Sequence, residues 1–360
     1  MQKSLTRRAF LQTTALTAAT IALAERGLVG TAWAENAFTV GLEGGSWGEG
    51  AKESFVVMPK FEEANNVKVS YAPNTVAVTQ TKVIAECGNP SLSVVGSPDI
   101  ESVRIAKAGC YQDYDLDIVT NYADITPTAK LPPQGGLTDW HAGVVATVFS
   151  LVYNTKEVSG KPASYEEMWN PKYKGRIGIP TFTSNGEPWM HALNISLGGS
   201  FDDLSPALEA VADLVKKQDV IFIENTDHGL QLFTREEIVM APFWNGRTFQ
   251  LQGDGVPVDI VYAPGTFQYK WGLHVTKGTQ FVELANKLVN NSLNGEYQLE
   301  MTRRFRYPPT NGKVKLPAEM ENRVIPESAF ANFVDLDFLT VIANNAKNLE
   351  RWNKEVVEQG

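Results

Sequence analysis

The sequence predicts an α/β protein built as two lobes, and three observations carry that prediction. Short β-branched runs alternate with longer amphipathic stretches, the pattern of βαβ units around a largely parallel sheet. The 360 residues, less an N-terminal segment of 34, leave a chain longer than one hydrophobic core usually organises. Two long extended runs, Gly143 to Lys156 and Val256 to Val275, separate the compact regions. A chain that crosses from one lobe to the other and returns would need two such strands, and crossings of this kind act as hinges.

Residues 1–34 read as an address. Arg7 and Arg8 precede an apolar run from Phe10 to Ala24, and Ala32-Trp33-Ala34 ends with small residues where a signal peptidase cuts. Arg-Arg before Phe-Leu fits a twin-arginine export signal. The apolar run is shorter than the roughly 20 residues of a membrane span, so a soluble periplasmic protein beginning near Glu35 is expected. Removing Lys3, Arg7, Arg8, Arg26 and Glu25 takes the formal charge from −9 (32 basic, 41 acidic) to −12 (28 basic, 40 acidic). That surface repels nucleic acid and anionic lipid. Cys87 and Cys110, in an oxidising compartment, are able to form a disulfide.

After the signal, Ala37 to Leu42 reads as a strand, Lys52 to Asn65 as a helix and Val67 to Pro73 as a second strand. A helix at Thr79 to Cys87 and a short buried strand at Leu92 to Ser97 complete a β-α-β-α-β opening. A similar series follows: strand Arg176 to Thr181, helices Glu187 to Gly199 and Ser205 to Gln218, strands Val220 to Asn225 and Glu237 to Trp244, and a later helix at Thr279 to Asn294. The glycine-rich stretch Gly41 to Gly50 has neither the Gly-Lys-Ser/Thr ending of a phosphate loop nor a dinucleotide GxGxxG. As a loop after the first strand, it stands where open α/β sheets bind ligands.

Three segments in register, Ser164 to Thr181, Met240 to Gly265 and Arg304 to Asn311, resemble the spermidine/putrescine-binding-protein-like receptors, periplasmic solute-binding proteins of ABC importers (extracellular solute-binding protein family 1). The resemblance runs over essentially the whole exported chain. It implies the two-lobed type II periplasmic binding fold, with lobe one at 36–147 plus 272–315, lobe two at 148–271 plus 316–360, and a ligand cleft between them. It further implies a membrane permease as partner, a monomer, and no cofactor. Matching positions place Trp47, Ser97, Glu187, Trp244 and Tyr307 against the solute, with Tyr269 and Arg247 beside them. Trp271 stands where the polyamine receptors have an aspartate, and Ser184 where they have the first of two acids. Fewer anionic partners disfavour a long polycation, because each buried ammonium needs a paired charge or an aromatic face. A small cationic or zwitterionic amine fits better, its carboxylate meeting Arg247, Arg304 or Lys270.

Alternatives stay open at this stage. The same fold could take a carboxylate or phosphonate anion on Arg247 and helix N-termini. An exported enzyme is the remaining class, but no nucleophile elbow, HExxH or Ser/His/Asp spacing supports one. No Tyr-Tyr pair suggests iron, and His141, His191, His228 and His274 lack metal-ligand spacing. Asp99 and Glu187 could each instead serve the start of a helix.

Overall fold

The computed structural model describes residues 37–54, 58–323, 325 and 327–358; the export segment 1–34 lies outside them. Among the described residues no helix is long and apolar enough to cross a membrane.

The opening series folds as its pattern requires. Strands β1 (Thr39–Glu43), β2 (Ser70–Asn74) and β3 (Val94–Pro98) lie parallel in the order β2-β1-β3. Helices α1 (Gly45–Ser54), α2 (Met58–Asn65) and α3 (Val76–Ala85) make the connections. The glycine-rich stretch expected as a loop is therefore already helical from Gly45. Gly48 is required there, since a Cβ would fall 1.4 Å from the Glu43 carbonyl oxygen.

Two strands join this region to the rest of the molecule. β4 (Gly143–Asn154) is buried over all 12 residues, which explains its near-continuous apolar sequence. β9 (Thr266–Val275) runs antiparallel between β3 and β4. Beyond Phe149 the β9 pairing ends, and β8 (Val258–Val261) takes its place along Leu151 to Asn154 while β7 (Met240–Trp244) holds the opposite edge. With β10 (Phe333–Val334) beside β9, one eight-stranded sheet runs through the molecule, and β5 (Gly178–Pro180) with β6 (Ile221–Ile223) forms a second, small parallel sheet. The two long crossing strands expected from the sequence are thus β4 and β9.

Cores form on both sides of the crossing. One gathers Phe38, Val40, Val94, Leu273, Leu288 and Met301; another gathers Val152, Phe233, Phe243, Leu251 and Ile260. A third and larger cluster draws on residues from both regions and includes Val95, Trp140, Phe149, Trp189, Leu208 and Trp352. Helix α6 (Ser205–Gln218) buries Ala207, Leu208, Val211, Leu214 and Val215, a 3–4 residue period on one face, and stops at Asp219, whose φ of 53° ends it in the left-handed region. Cys87 and Cys110 are bonded, tying the end of α3 to the segment after α4 (Asp99–Lys107).

The C-terminal helix α11 (Phe338–Trp352) starts on Asp337, whose carboxylate accepts the amides of Leu339 and Thr340. It packs against both α4 and α5 (Glu187–Ser196). Trp352 anchors its far end between Phe182 and Phe222, with ring centroids 5.8 and 6.3 Å away.

Candidate functional site

A cleft of about 1000 Å³ opens where the strands end. Six strands, β1, β2, β3, β5, β6 and β7, point their carboxyl ends at it, β2 through Pro73 to Ala77, the position at which open α/β sheets present loops and helix starts to a ligand. β1 delivers Glu43 and Trp47, β3 delivers Pro98 and then Glu101 and Arg104 on α4, and β5 delivers Phe182 to Glu187. β6 delivers Glu224 to Thr226, and β7 delivers Trp244 followed by Arg247 on α8 (Asn245–Gly253). β9 crosses the floor and presents Tyr269 and Trp271, two residues apart and therefore on one face. Asn345 and Leu349 of α11 supply a further wall.

Of the residues expected against a solute, Trp47, Glu187, Trp244, Arg247, Tyr269, Trp271 and Tyr307 all line this cleft. Ser97 does not. Its hydroxyl is buried, 2.8 Å from Ser102 Oγ and 3.3 Å from the Tyr111 hydroxyl. The pleat explains this: Gly96 and Pro98 face the cleft side, where Gly96 meets Trp271, and Ser97 between them points the other way. Asn245-Gly246 after Trp244 opens the first turn of α8. Lys270 and Asp99 are also absent from the cleft wall. The Asp99 carboxylate accepts the Lys270 amide and lies 3.8 Å from the Lys270 ammonium, so it does not cap α4, whose cap position is Pro98. Arg304 lies off the cleft wall and lines a smaller cavity beside Gly50 and Arg306.

The aromatic residues form two groups. Trp47 sits edge-on to Trp271 at 5.4 Å and against Phe305 at 4.4 Å, with Tyr307 at 5.9 Å. Trp244 packs against Phe149 at 4.7 Å and Tyr269 at 5.6 Å. Trp244 and Trp271 are 8% and 4% exposed, so each ring is mostly core and offers only one edge or face to the cleft. The indole nitrogens of Trp47 and Trp271 are buried without a hydrogen-bond partner.

Charge in the cleft was only partly legible in the sequence. Four carboxylates, those of Glu43, Glu101, Glu187 and Glu224, line it with two guanidiniums, those of Arg104 and Arg247. Burial pushes the Glu43 carboxyl up to about 7, offset in part by the nearby Trp271 indole, which forms no bond of standard length. Burial pushes Glu101 up to about 8 against the opposing pull of Arg104, with Glu43 and Asp99 adding to the rise. Glu187 is raised by burial as well, against the opposing pull of the Asn345 side chain and of Arg104, which lies 3.8 Å from its Oε2. Oε2 of Glu101 and Oε1 of Glu187 are buried with no hydrogen-bond partner. Arg247 donates to Gln250 Oε1 at 2.9 Å and lies 5.6 Å over the Phe305 ring. Among the described residues no group of three or more His, Cys, Asp or Glu side chains could hold a metal ion.

A two-lobed α/β architecture with an aromatic, charged cleft at its strand ends defines a solute receptor in its class. The family described as bacterial extracellular solute-binding protein matches residues 57–325, and the chain belongs to it. No sequence among the curated proteins compared matches it. Its fold is similar to that of an ABC transporter structure from Clostridium perfringens ATCC 13124, with 20% identity, TM-score 0.73, and 89% of this chain and 99% of that chain covered. It is similar also to the Atu4243 GABA receptor (19%, TM-score 0.72, 88% and 96%) and to AgtB from A. tumefaciens R10 in complex with agropinic acid (19%, TM-score 0.68, 89% and 98%). At these identities the likeness speaks for the fold.

Proposed function

We propose that the protein is the periplasmic receptor of an ABC importer for a small solute with one ammonium group, alone or with a carboxylate, which it hands to a membrane permease. The observation that carries this reading is the pair of partnerless buried carboxylate oxygens, on Glu101 and Glu187, facing a cleft walled by indole and phenol rings. A buried carboxylate oxygen left unpaired is costly, and an ammonium donor answers it. Indole faces add attraction for a cation of roughly 0.5 to 2 kcal/mol each. Towards the other side, the Arg247 guanidinium, 5.6 Å over the Phe305 ring, suits a carboxylate. We place the lobes at 36–147 plus 272–315 and 148–271 plus 316–360, closing about β4 and β9; two smaller cores lie one in each, while the largest cluster spans both.

A thermal-shift series tests the proposal, since a ligand held only by the folded state raises its melting temperature by mass action. Amines and amino acids are expected to raise it. A second reading, an anion held by Arg104 and Arg247, gains support from those two guanidiniums; it prevails if succinate or phosphate shifts the transition and amines do not.

A further inference from the structure

The carboxyls on the α4 side of the cleft carry a more specific inference, which rests on the amine-receptor reading above. Glu43 ends β1 and Glu101 lies in the first turn of α4; both line the cleft, and the Glu43 charge makes Glu101 harder to ionise. Glu187, 94% buried by its 6% exposure, reaches the same space from the start of α5, with Oε1 partnerless. A first-turn acid that only complements a helix dipole gains nothing from being buried with an unpaired oxygen. The arrangement is instead that of an acceptor set awaiting a donor.

We propose that Glu43 and Glu101, opposite Glu187, form the subsite for the ammonium end of the solute, and that the arriving ammonium displaces a proton which the Glu43/Glu101 pair holds in the solute-free protein. The charged groups facing this pair set the balance. Arg104 on the same helix favours ionisation of Glu101; Asp99 at the helix start opposes it, and the Tyr111 and Tyr269 phenols lie close enough to feel its charge. Arg104 also lies 3.8 Å from Glu187, so it is shared between two carboxylates and cannot neutralise three. Burial dominates at both Glu43 and Glu101, and the pair therefore keeps a proton near neutral pH. An ammonium brings its own positive charge, so the pair ionises and the proton passes to the buffer. Charge inside the cleft is conserved: one proton leaves as one cation enters.

Calorimetric titration with 4-aminobutanoate and with putrescine, repeated at pH 7 in buffers of different ionisation enthalpy, counts the protons released. About one proton per solute is expected, with the dissociation constant falling about tenfold per pH unit from pH 6 to 7. Glu101→Gln, which keeps an acceptor oxygen but does not titrate, should bind more weakly and with a flattened pH profile. Tight binding of either amine with no proton release and no pH dependence overturns the subsite while leaving the amine-receptor reading intact. No binding of either amine overturns both. The count on the unmodified protein stands whether or not the variant folds.

Discussion

Gly96 is the position where a single methyl group should test the cleft floor. A Cβ built there falls 2.3 and 2.6 Å from Cζ2 and Cη2 of Trp271 and 3.0 Å from Leu42 Cδ2. The backbone at Gly96 is ordinary strand, so Gly96→Ala incurs no conformational penalty and the whole cost is steric. Trp271 cannot recede easily, since it is 4% exposed and held edge-on by Trp47 at 5.4 Å. Overpacking of this kind costs about 1–3 kcal/mol. It should appear in urea unfolding as a lower midpoint at unchanged slope. The displaced indole should also lose its contact with the solute; at roughly 0.5 to 2 kcal/mol per ring, affinity should fall about 2- to 30-fold. The assay pairs unfolding followed by tryptophan emission with binding of an amine that shifts the native protein. If Gly96→Ala unfolds at the native midpoint with an unchanged emission spectrum, Trp271 does not occupy the place described, and the argument for the floor fails.

Stability in the absence of solute should fall as pH rises from about 6.5 to 8. Glu43, Asp99 and Glu101, raised by burial to about 7, 7 and 8, stabilise below their unfolded values and lose that contribution as pH rises through the folded ones, whereas the buried neutral His141 and His274, both lowered, act only from about 6.5 downward; denaturant midpoints across pH 5 to 8.5 check the sign. Replacing Cys87 and Cys110 by serine opens a loop with a sequence separation of 23 and should cost about 3 kcal/mol, read from equilibrium unfolding. Trp244→Ala should remove solute binding and also cost about 3 kcal/mol, because the ring fills space against Phe149 and Tyr269. Trp244→Phe should keep most of the stability and still weaken binding, and equal binding by Trp244→Phe and native protein would place the indole outside the contact.

Local pattern made most of the fold legible. The helix at Ser205–Gln218 and the buried strand at Gly143–Asn154 follow directly from periods of 3.6 residues and from unbroken apolar sequence. What pattern could not supply was long-range pairing. Nothing local tells β9 that its second half lies beside β3, or that β8 replaces it along β4. The glycines from Gly44 to Gly50 looked like a loop because their helix propensity is poor, yet Gly48 and Gly50 are helical and in close contact with Glu43 and Phe305. The oxidising compartment allowed a Cys87–Cys110 disulfide, and the structure bonds the pair. The cleft was half legible: aromatic residues at strand ends announced themselves, but Glu43 at the end of β1, Glu101 in the first turn of α4 and Arg104 in its last turn carry no local signal that sets them apart from solvated charges. Ser97 shows the same limit in the other direction, since a strand tip was located correctly while the side chain alternates to the far face.

Strand β9 would tie solute recognition to the lobe closure proposed above. Tyr269 and Trp271 face the cleft, and Lys270 between them turns its ammonium away, 3.8 Å from the fully buried Asp99 at the start of α4. The Lys270 amide is also bound by the Asp99 carboxylate. The same strand therefore carries the cleft-facing rings on one face and a buried charge pair to α4 on the other, and α4 carries Glu101 and Arg104. A solute that presses on Trp271 and draws in Glu101 acts on two elements already clamped together. Rotation of β9 cannot move the rings without moving the carboxyl wall. A receptor built this way should close as one step, with floor and acidic wall advancing together, rather than by independent movement of side chains.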